Sequence, residues 1–283
     1  DMIELLIRDY MNPDRDDALF PYMRNFDPFA GHGWAGGYAD NNGGNNQESA
    51  GEALNSWVGA YLYATAVGNE KIRQAAIYGY TTELNAIKHY WFNYFNDFPE
   101  SYQYGVAGQV YGGSNFYGTF FNGQPLFMYG IHLIPGEEYL TSYALNESER
   151  VLLEKLIDNM RKEQAGWDVP DNQKEIYAWQ HIFIPIVAIY DADEALEWYD
   201  EVLRKQGSVG NDSEQFNVYW LIHGMKSTGV RTTDIWAENG ESATVYSKDG
   251  GYTALCWNPT ANPKKFIFRN ADGVVGYAVV QPR

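Results

Sequence analysis

Apolar positions recur along most of this chain at helical spacing and change to an alternating pattern only near its end. Met2, Ile3, Leu5, Leu6 and Ile7, followed by Asn12-Pro13, predict a helix from Met2 to Met11. Residues 12–47 are broken by Pro, Gly and Asn and predict a long loop, whose aromatic side chains argue against disorder. A helix is expected from about Gln47 to Ala66, closed by Gly68-Asn69, and another from about Glu70 to Phe95. Residues 100–146 again read as loop, with Tyr102, Tyr104, Tyr111, Phe116, Tyr117, Phe120 and Phe121 among eight glycines and a short apolar segment from Leu126 to Ile134. Helical spacing resumes over 147–163, 173–190, 192–206 and 212–227. After Gly229, the segments 245–246, 252–257, 265–268 and 277–280 read as short strands between Gly, Asn and Pro turns.

Paired helices whose long loops gather at one end predict a mainly α fold of the α/α-toroid type, (α/α)6-barrel-like, over residues 1–228. Residues 229–283 are expected to form a small β appendage packed on it. No fixed-period repeat is visible, which disfavours an α-solenoid.

Composition narrows the partners. The formal charge of −17 repels phosphate backbones and anionic surfaces, so neither nucleic acid nor membrane is expected as a partner. Nothing approaches 18 uninterrupted apolar residues. Aromatics make up 16% of the chain, with 23 Tyr and 9 Trp, a supply suited to stacking on sugar faces. Cys256, the single cysteine, excludes an intrachain disulfide and reads as a small apolar residue in a strand. The chain opens Asp1-Met2-Ile3-Glu4 without a basic or apolar leader, the expected start of a processed or truncated product.

There is no G-x-S-x-G elbow, P-loop or dinucleotide fingerprint. His32, His89, His132, His181 and His223 are too scattered for a metal motif, so no metal or cofactor is expected. Asp191, Asp193 and Glu194 miss the calcium-loop spacing and read as a helix N-terminus. What remains is carboxylate chemistry. Glu48 and Glu52 stand four residues apart in Asn45-Asn46-Gln47-Glu48-Ser49-Ala50-Gly51-Glu52-Ala53, where a helix would project both from one face. The bland alternative is that they complement the helix dipole. They follow closely on the aromatic, glycine-rich run from Arg24 to Gly37.

Asn25-Phe26-Asp27 through Gly31-His32-Gly33-Trp34-Ala35, then Asn46-Gln47-Glu48-Ser49 and Glu52-Ala53, resembles the signature of glycoside hydrolase family 81, the endo-β-1,3-glucanases. Ile3 to Pro13, Tyr129 to Pro135 with Tyr139-Leu140, and Tyr219 to His223 continue the resemblance in the family's order. Departures are Gly33 for the usual Ser, Ala50-Gly51 for a serine pair, and Tyr129 where His is common.

The resemblance implies endo-acting, inverting hydrolysis of a laminarin- or curdlan-type β-1,3-glucan by a secreted enzyme. Glu48 and Glu52 then map onto the pair that supplies the general base, with the choice between them open. The family's acid is an aspartate in an N-D-H-H-F-H-type motif absent from this sequence, as are its N-terminal β-sandwich and first barrel helices. The chain therefore resembles an incomplete, C-terminal portion of the catalytic module and is expected to be inactive or very weakly active alone unless an N-terminal piece supplies the acid. Asp27 reads as a positioning residue rather than a substitute acid. A non-catalytic β-glucan-binding fragment, a partner-interaction protein and a hydrolase of another glucan linkage remain alternatives. Asp27, His32, Trp34, Asn46, Gln47, Trp57, Tyr61, Tyr104 and Tyr111 are the candidate substrate contacts.

Overall fold

The computed structural model describes residues 2–35, 45–238 and 242–282. Gly36 and Gly37, at the end of the aromatic run, lie outside the described residues. The chain divides into two compact units, one of Asp1–Leu140 with Lys155–Phe183, the other of Thr141–Glu154 with Ile184–Arg283. Helices 192–206 and 212–228 thus group with the β strands rather than with the first helices.

In the first unit, α1 (Met2–Met11) ends at Asn12-Pro13 as its sequence requires. Residues 12–49 are not plain loop. They hold the hairpin of β1 (Phe26–Asp27) and β2 (His32–Gly33), then β3 (Asn46–Gln47). The helix α2 (Ala50–Val67) follows, closed by Gly68 at φ 72°, and α3 (Glu70–Tyr90) starts from Asn69, whose side chain accepts the Ile72 N–H at 3.2 Å. Leu54, Trp57, Ala60 and Ala64 of α2 face Ile72, Ala76 and Gly79 of α3, making an antiparallel helical hairpin with small residues at its seam.

α3 stops at Tyr90, short of the expected Phe95, because Asn93 and Asn96 adopt left-handed backbone at φ 51° and 58°. The second aromatic loop contains β4 (Gln109–Tyr111) and β5 (Ser114–Phe116), which join β3 in a three-stranded antiparallel sheet, and then α4 (Pro125–Gly130). α5 (Glu147–Ala165) and α6 (Gln180–Val187) fall partly in each unit. The helix expected from 173 begins only at Gln180, since Trp179 turns the backbone at φ 54° to place its ring edge-on to Phe127, 4.9 Å between centroids.

In the second unit, α7 (Ala192–Gln206) is capped by Asp191, which accepts from Asp193 N and Glu194 N, and α8 (Asp212–Thr228) by an Asn211–Glu214 capping box. The Asp191 cluster is therefore a helix start, as its sequence predicts. The strands β6 (Val230–Arg231), β7 (Trp236–Ala237), β8 (Ala243–Lys248), β9 (Gly251–Cys256), β10 (Lys264–Asn270) and β11 (Gly273–Val280) form two three-stranded sheets, ordered β6-β8-β9 and β11-β10-β7, around Val245, Phe266 and Phe268. Among the described residues, no helix is long and apolar enough to cross a membrane.

Candidate active site

The helix start places the two glutamates differently. Ser49 is the N-cap of α2, so Glu48 lies outside the helix and Glu52 in its first turn. The two do not share a helix face, which corrects the expectation from their spacing. The cause is long-range: Asn46 and Gln47 pair with Tyr111 and Val110 of β4, holding the chain extended up to Glu48. Continuing that antiparallel register by one residue sets Glu48 across from Gln109. Gln109, 2% exposed, donates from Nε2 to Glu48 Oε2 at 2.6 Å, and the Phe120 N–H donates to the same oxygen at 2.9 Å. The Tyr111 hydroxyl donates to Gln109 Oε1 at 2.7 Å, fixing which way the amide faces. Two donors on one oxygen fix the direction in which the carboxylate points. Beside it, the Phe120 ring is 71% exposed.

Helix α2 starts on the loop that follows α4. The Ala50 N–H points to His132 Nδ1 at 3.4 Å, and His132 Nε2–H donates to the Ala107 carbonyl at 3.0 Å, so this fully buried ring is neutral and caps the helix. Burial depresses its pKa to about 3 against bonds to the backbone at Ala107 and Gly108. A Cβ on Gly51 would sit 2.2 Å from the Ile134 carbonyl oxygen, so only glycine fits there. Glu52 is exposed, and its charge adds to the burial, Glu137 and Tyr80 that raise the Tyr139 phenol.

Glu52 also borders a cavity of about 200 Å³, lined with Tyr10, Asn25, Gly33, Trp34, Gln47, Ser56, Trp57 and Glu83. Glu48 does not line it. Asp27 does not line this cavity but holds Trp34, which does. Its Oδ2 accepts the Trp34 indole N–H at 3.2 Å, and its Oδ1 accepts the N–H groups of Phe29 and Ala30 at 2.9 and 3.3 Å. Burial pushes the Asp27 carboxyl up, but those three donors and nearby His32 outweigh it and hold its pKa below the ordinary value. A carboxyl kept ionised in this way cannot donate a proton near neutrality.

His32 is placed elsewhere than expected. It is 1% exposed, packed among Trp34, Trp91 and Tyr90 at centroid distances of 4.4, 5.0 and 5.8 Å, and its Nδ1 bonds the Gly33 carbonyl at 2.7 Å. It orders the hairpin and has no face for a sugar. Trp57 is likewise buried, its indole N–H donating to Glu83 Oε2 at 2.6 Å.

Trp34 and Gln47 reach the cavity wall, whereas Asn46 is buried in the sheet opposite Tyr111. Tyr61 is half-buried further along α2 and does not line the cavity. Tyr104 is exposed on one side and stacked on Tyr117 on the other, 3.6 Å between centroids and 3° from parallel. Glu163 anchors that pair by accepting the Gly105 N–H, the Tyr129 hydroxyl and the Tyr117 hydroxyl.

Sequence reasoning missed Gln109, Phe120 and Glu163, whose bonds to Glu48, Glu48 and Tyr117 span 61, 72 and 46 residues. It also missed Glu83, which the helical spacing of its neighbours reveals. Among the described residues, no three His, Cys, Asp or Glu are grouped to hold a metal ion.

The sequence model of the glycosyl hydrolase family 81 C-terminal domain matches residues 1–220. The chain belongs to glycosyl hydrolase family 81. This family 81 chain is 33% identical over 276 residues to a glucan endo-1,3-beta-D-glucosidase of Acetivibrio thermocellus, covering 97% of this chain and 33% of that protein. To the protein of the same name from Thermobifida fusca it is 31% identical over 276 residues, covering 96% and 34%. It therefore spans about a third of the length of these curated relatives. A mutant glycoside hydrolase family 81 structure from Clostridium thermocellum superposes with a TM-score of 0.80 at 31% identity, over 99% of this chain and 37% of that one. The family 81 match includes both glutamates and every residue lining the cavity, and ends before β6.

Proposed function

We propose that this chain carries the water-activating half of a secreted endo-β-1,3-glucan hydrolase that inverts the anomeric centre, built on an α/α toroid completed by residues outside this sequence. The observation that carries the reading is the Glu48 carboxylate, aimed by the Gln109 amide and by the backbone N–H of Phe120, whose side chain is exposed. The relatives are glucan endo-1,3-beta-D-glucosidases, which supports the substrate class. Glu48 is the general base: its Oε2 is held, and Oε1 is left to take a proton from water. Glu52, exposed at the cavity mouth, orients that water or a sugar hydroxyl. Inversion needs an acid about 6.5–9.5 Å from the base. Asp27, tied to three donors, does not serve.

The test measures laminarin hydrolysis by this chain alone and joined to the remainder of its catalytic module, with product anomers followed by NMR. The chain alone is expected to release no product, and the joined form the α-anomer. Glu48→Gln should lower kcat by about 10³-fold, in the range for loss of a general base, and Glu52→Gln by less. Retention of the β-anomer, or a Glu48→Gln variant with most of its activity, would sink the assignment.

A second reading, a β-glucan-binding part without chemistry of its own, is favoured by the ionised state of Asp27. It predicts that the chain alone binds laminari-oligosaccharides without releasing reducing ends.

A further inference from the structure

The buried stripe of α3 runs through Ile72, Ala76, Gly79, Glu83 and Ala86, in alternating steps of four and three that turn one helix face to its neighbour. Within it Glu83, 1% exposed, is the carboxylic acid, a group that is costly to bury unless well bonded. Its two oxygens serve two elements. Oε1 accepts the Gly33 N–H of β2 at 3.0 Å, and Oε2 accepts the Trp57 indole N–H of α2 at 2.6 Å. Gly79 lies four residues earlier on the same face, and a Cβ there would stand 2.6 Å from the Trp57 ring. A bare glycine thus seats the indole flat on α3 and lets its N–H reach Glu83. With a donor facing each oxygen, an amide would turn its NH2 onto one of them, and an apolar side chain would leave both N–H groups unpaired.

We propose that Glu83 is a positioning residue of the glucan site: a carboxyl clamp that holds the Gly33–Trp34 edge of the hairpin against the Trp57 face of α2, fixing the cavity walls in front of Glu52. The clamp itself stands on geometry, and what the cavity holds rests on the glucan reading above. Glu83 is not the missing proton donor, since an N–H donor holds each oxygen and the side chain is only 1% exposed at the cavity wall. Burial, opposed by its bonds to Trp57 and Gly33, lifts its pKa to about 7, so the clamp changes charge near neutrality. The titratable groups that share its cavity are Tyr10 of α1 and Glu52 of α2, and the hairpin it holds carries Asp27 and His32.

The test follows the Gly33 amide and Trp57 indole protons of the full chain by NMR across pH, and laminari-oligosaccharide binding by calorimetry. In the wild type both protons should titrate together with a midpoint near 7, and Glu83→Gln should abolish this while melting cooperatively. Glu83→Gln and Trp57→Phe should each weaken oligosaccharide binding about tenfold, the scale of one lost hydrogen bond. The double variant should lose no more than either alone, because the clamp needs both partners. Separate titration of the two protons, or additive losses in the double variant, overturns the clamp. Unchanged binding in both single variants overturns its part in the site. If the wild type binds no oligosaccharide, the glucan reading fails and the paired titration decides the clamp alone.

Discussion

Glu48 is held by two uncharged donors, the Gln109 amide and the Phe120 N–H, and the first of these is itself held by the Tyr111 hydroxyl. Removing the amide leaves the carboxylate free to swing. Gln109→Leu in the joined enzyme should therefore lower kcat about 10- to 100-fold, the worth of a hydrogen bond to a charge, with KM for laminari-oligosaccharides little moved. Tyr111→Phe should cost less, and steady-state kinetics on both variants would check the order. An unchanged kcat in Gln109→Leu would mean that Phe120 alone suffices. At this scale the glutamates were legible because the motif is local, while Gln109 was not, because it meets Glu48 only through strand pairing 61 residues away. His32 misled for a related reason. A Gly-flanked histidine beside Trp34 reads as a sugar contact until Tyr90 and Trp91, nearly sixty residues on, close over it.

Helices were legible from apolar spacing and their caps: Met2–Met11, the start of α3, and α7 fall where the pattern puts them. The short strands β1 to β5 were hidden by glycine and by pairing between distant segments, and that pairing moved the start of α2 from Gln47 to Ala50. Three glycines in α2 and α3 show how closely these elements fit. Gly51→Ala would drive a Cβ into the Ile134 carbonyl at 2.2 Å, against backbone that cannot turn aside. Gly79→Ala would meet the Trp57 ring at 2.6 Å, which gives way only by leaving its seat. Each should cost about 1–3 kcal/mol or more in urea unfolding. Gly59 has open space around its Cβ position, so Gly59→Ala should stabilise by about 0.5–1 kcal/mol. A uniform response of the three would refute the packing described for this hairpin.

For the whole molecule, Glu83 and His132 bind protons with opposite bias. Glu83 rises from 4.5 to about 7 on folding, so the native state holds the extra proton, and stability falls as pH climbs through that window. His132 drops from 6.5 to about 3, so the unfolded state holds the extra proton, and stability falls as pH descends from 6.5. Between 4.5 and 6.5 the two slopes oppose each other, which predicts a plateau with a decline on either side. Each slope is worth about 1.4 kcal/mol per pH unit at most. Thermal midpoints from pH 3 to 8 would reveal it: Glu83→Gln should flatten the alkaline limb and His132→Gln the acid one. A monotonic profile in the wild type would contradict both placements. The formal charge of −17 adds self-repulsion that eases as carboxylates protonate, broadening the plateau on its acid side.

The cross-strand bond from Gln109 to Glu48 limits how the site could be grafted. A motif read as one contiguous stretch, Asn46 to Glu52, is half of a unit whose other half is Gln109 to Phe120. Moving Asn46 to Glu52 to another scaffold without Gln109 to Phe120 would strip Glu48 of both its donors and of the strand that holds it extended.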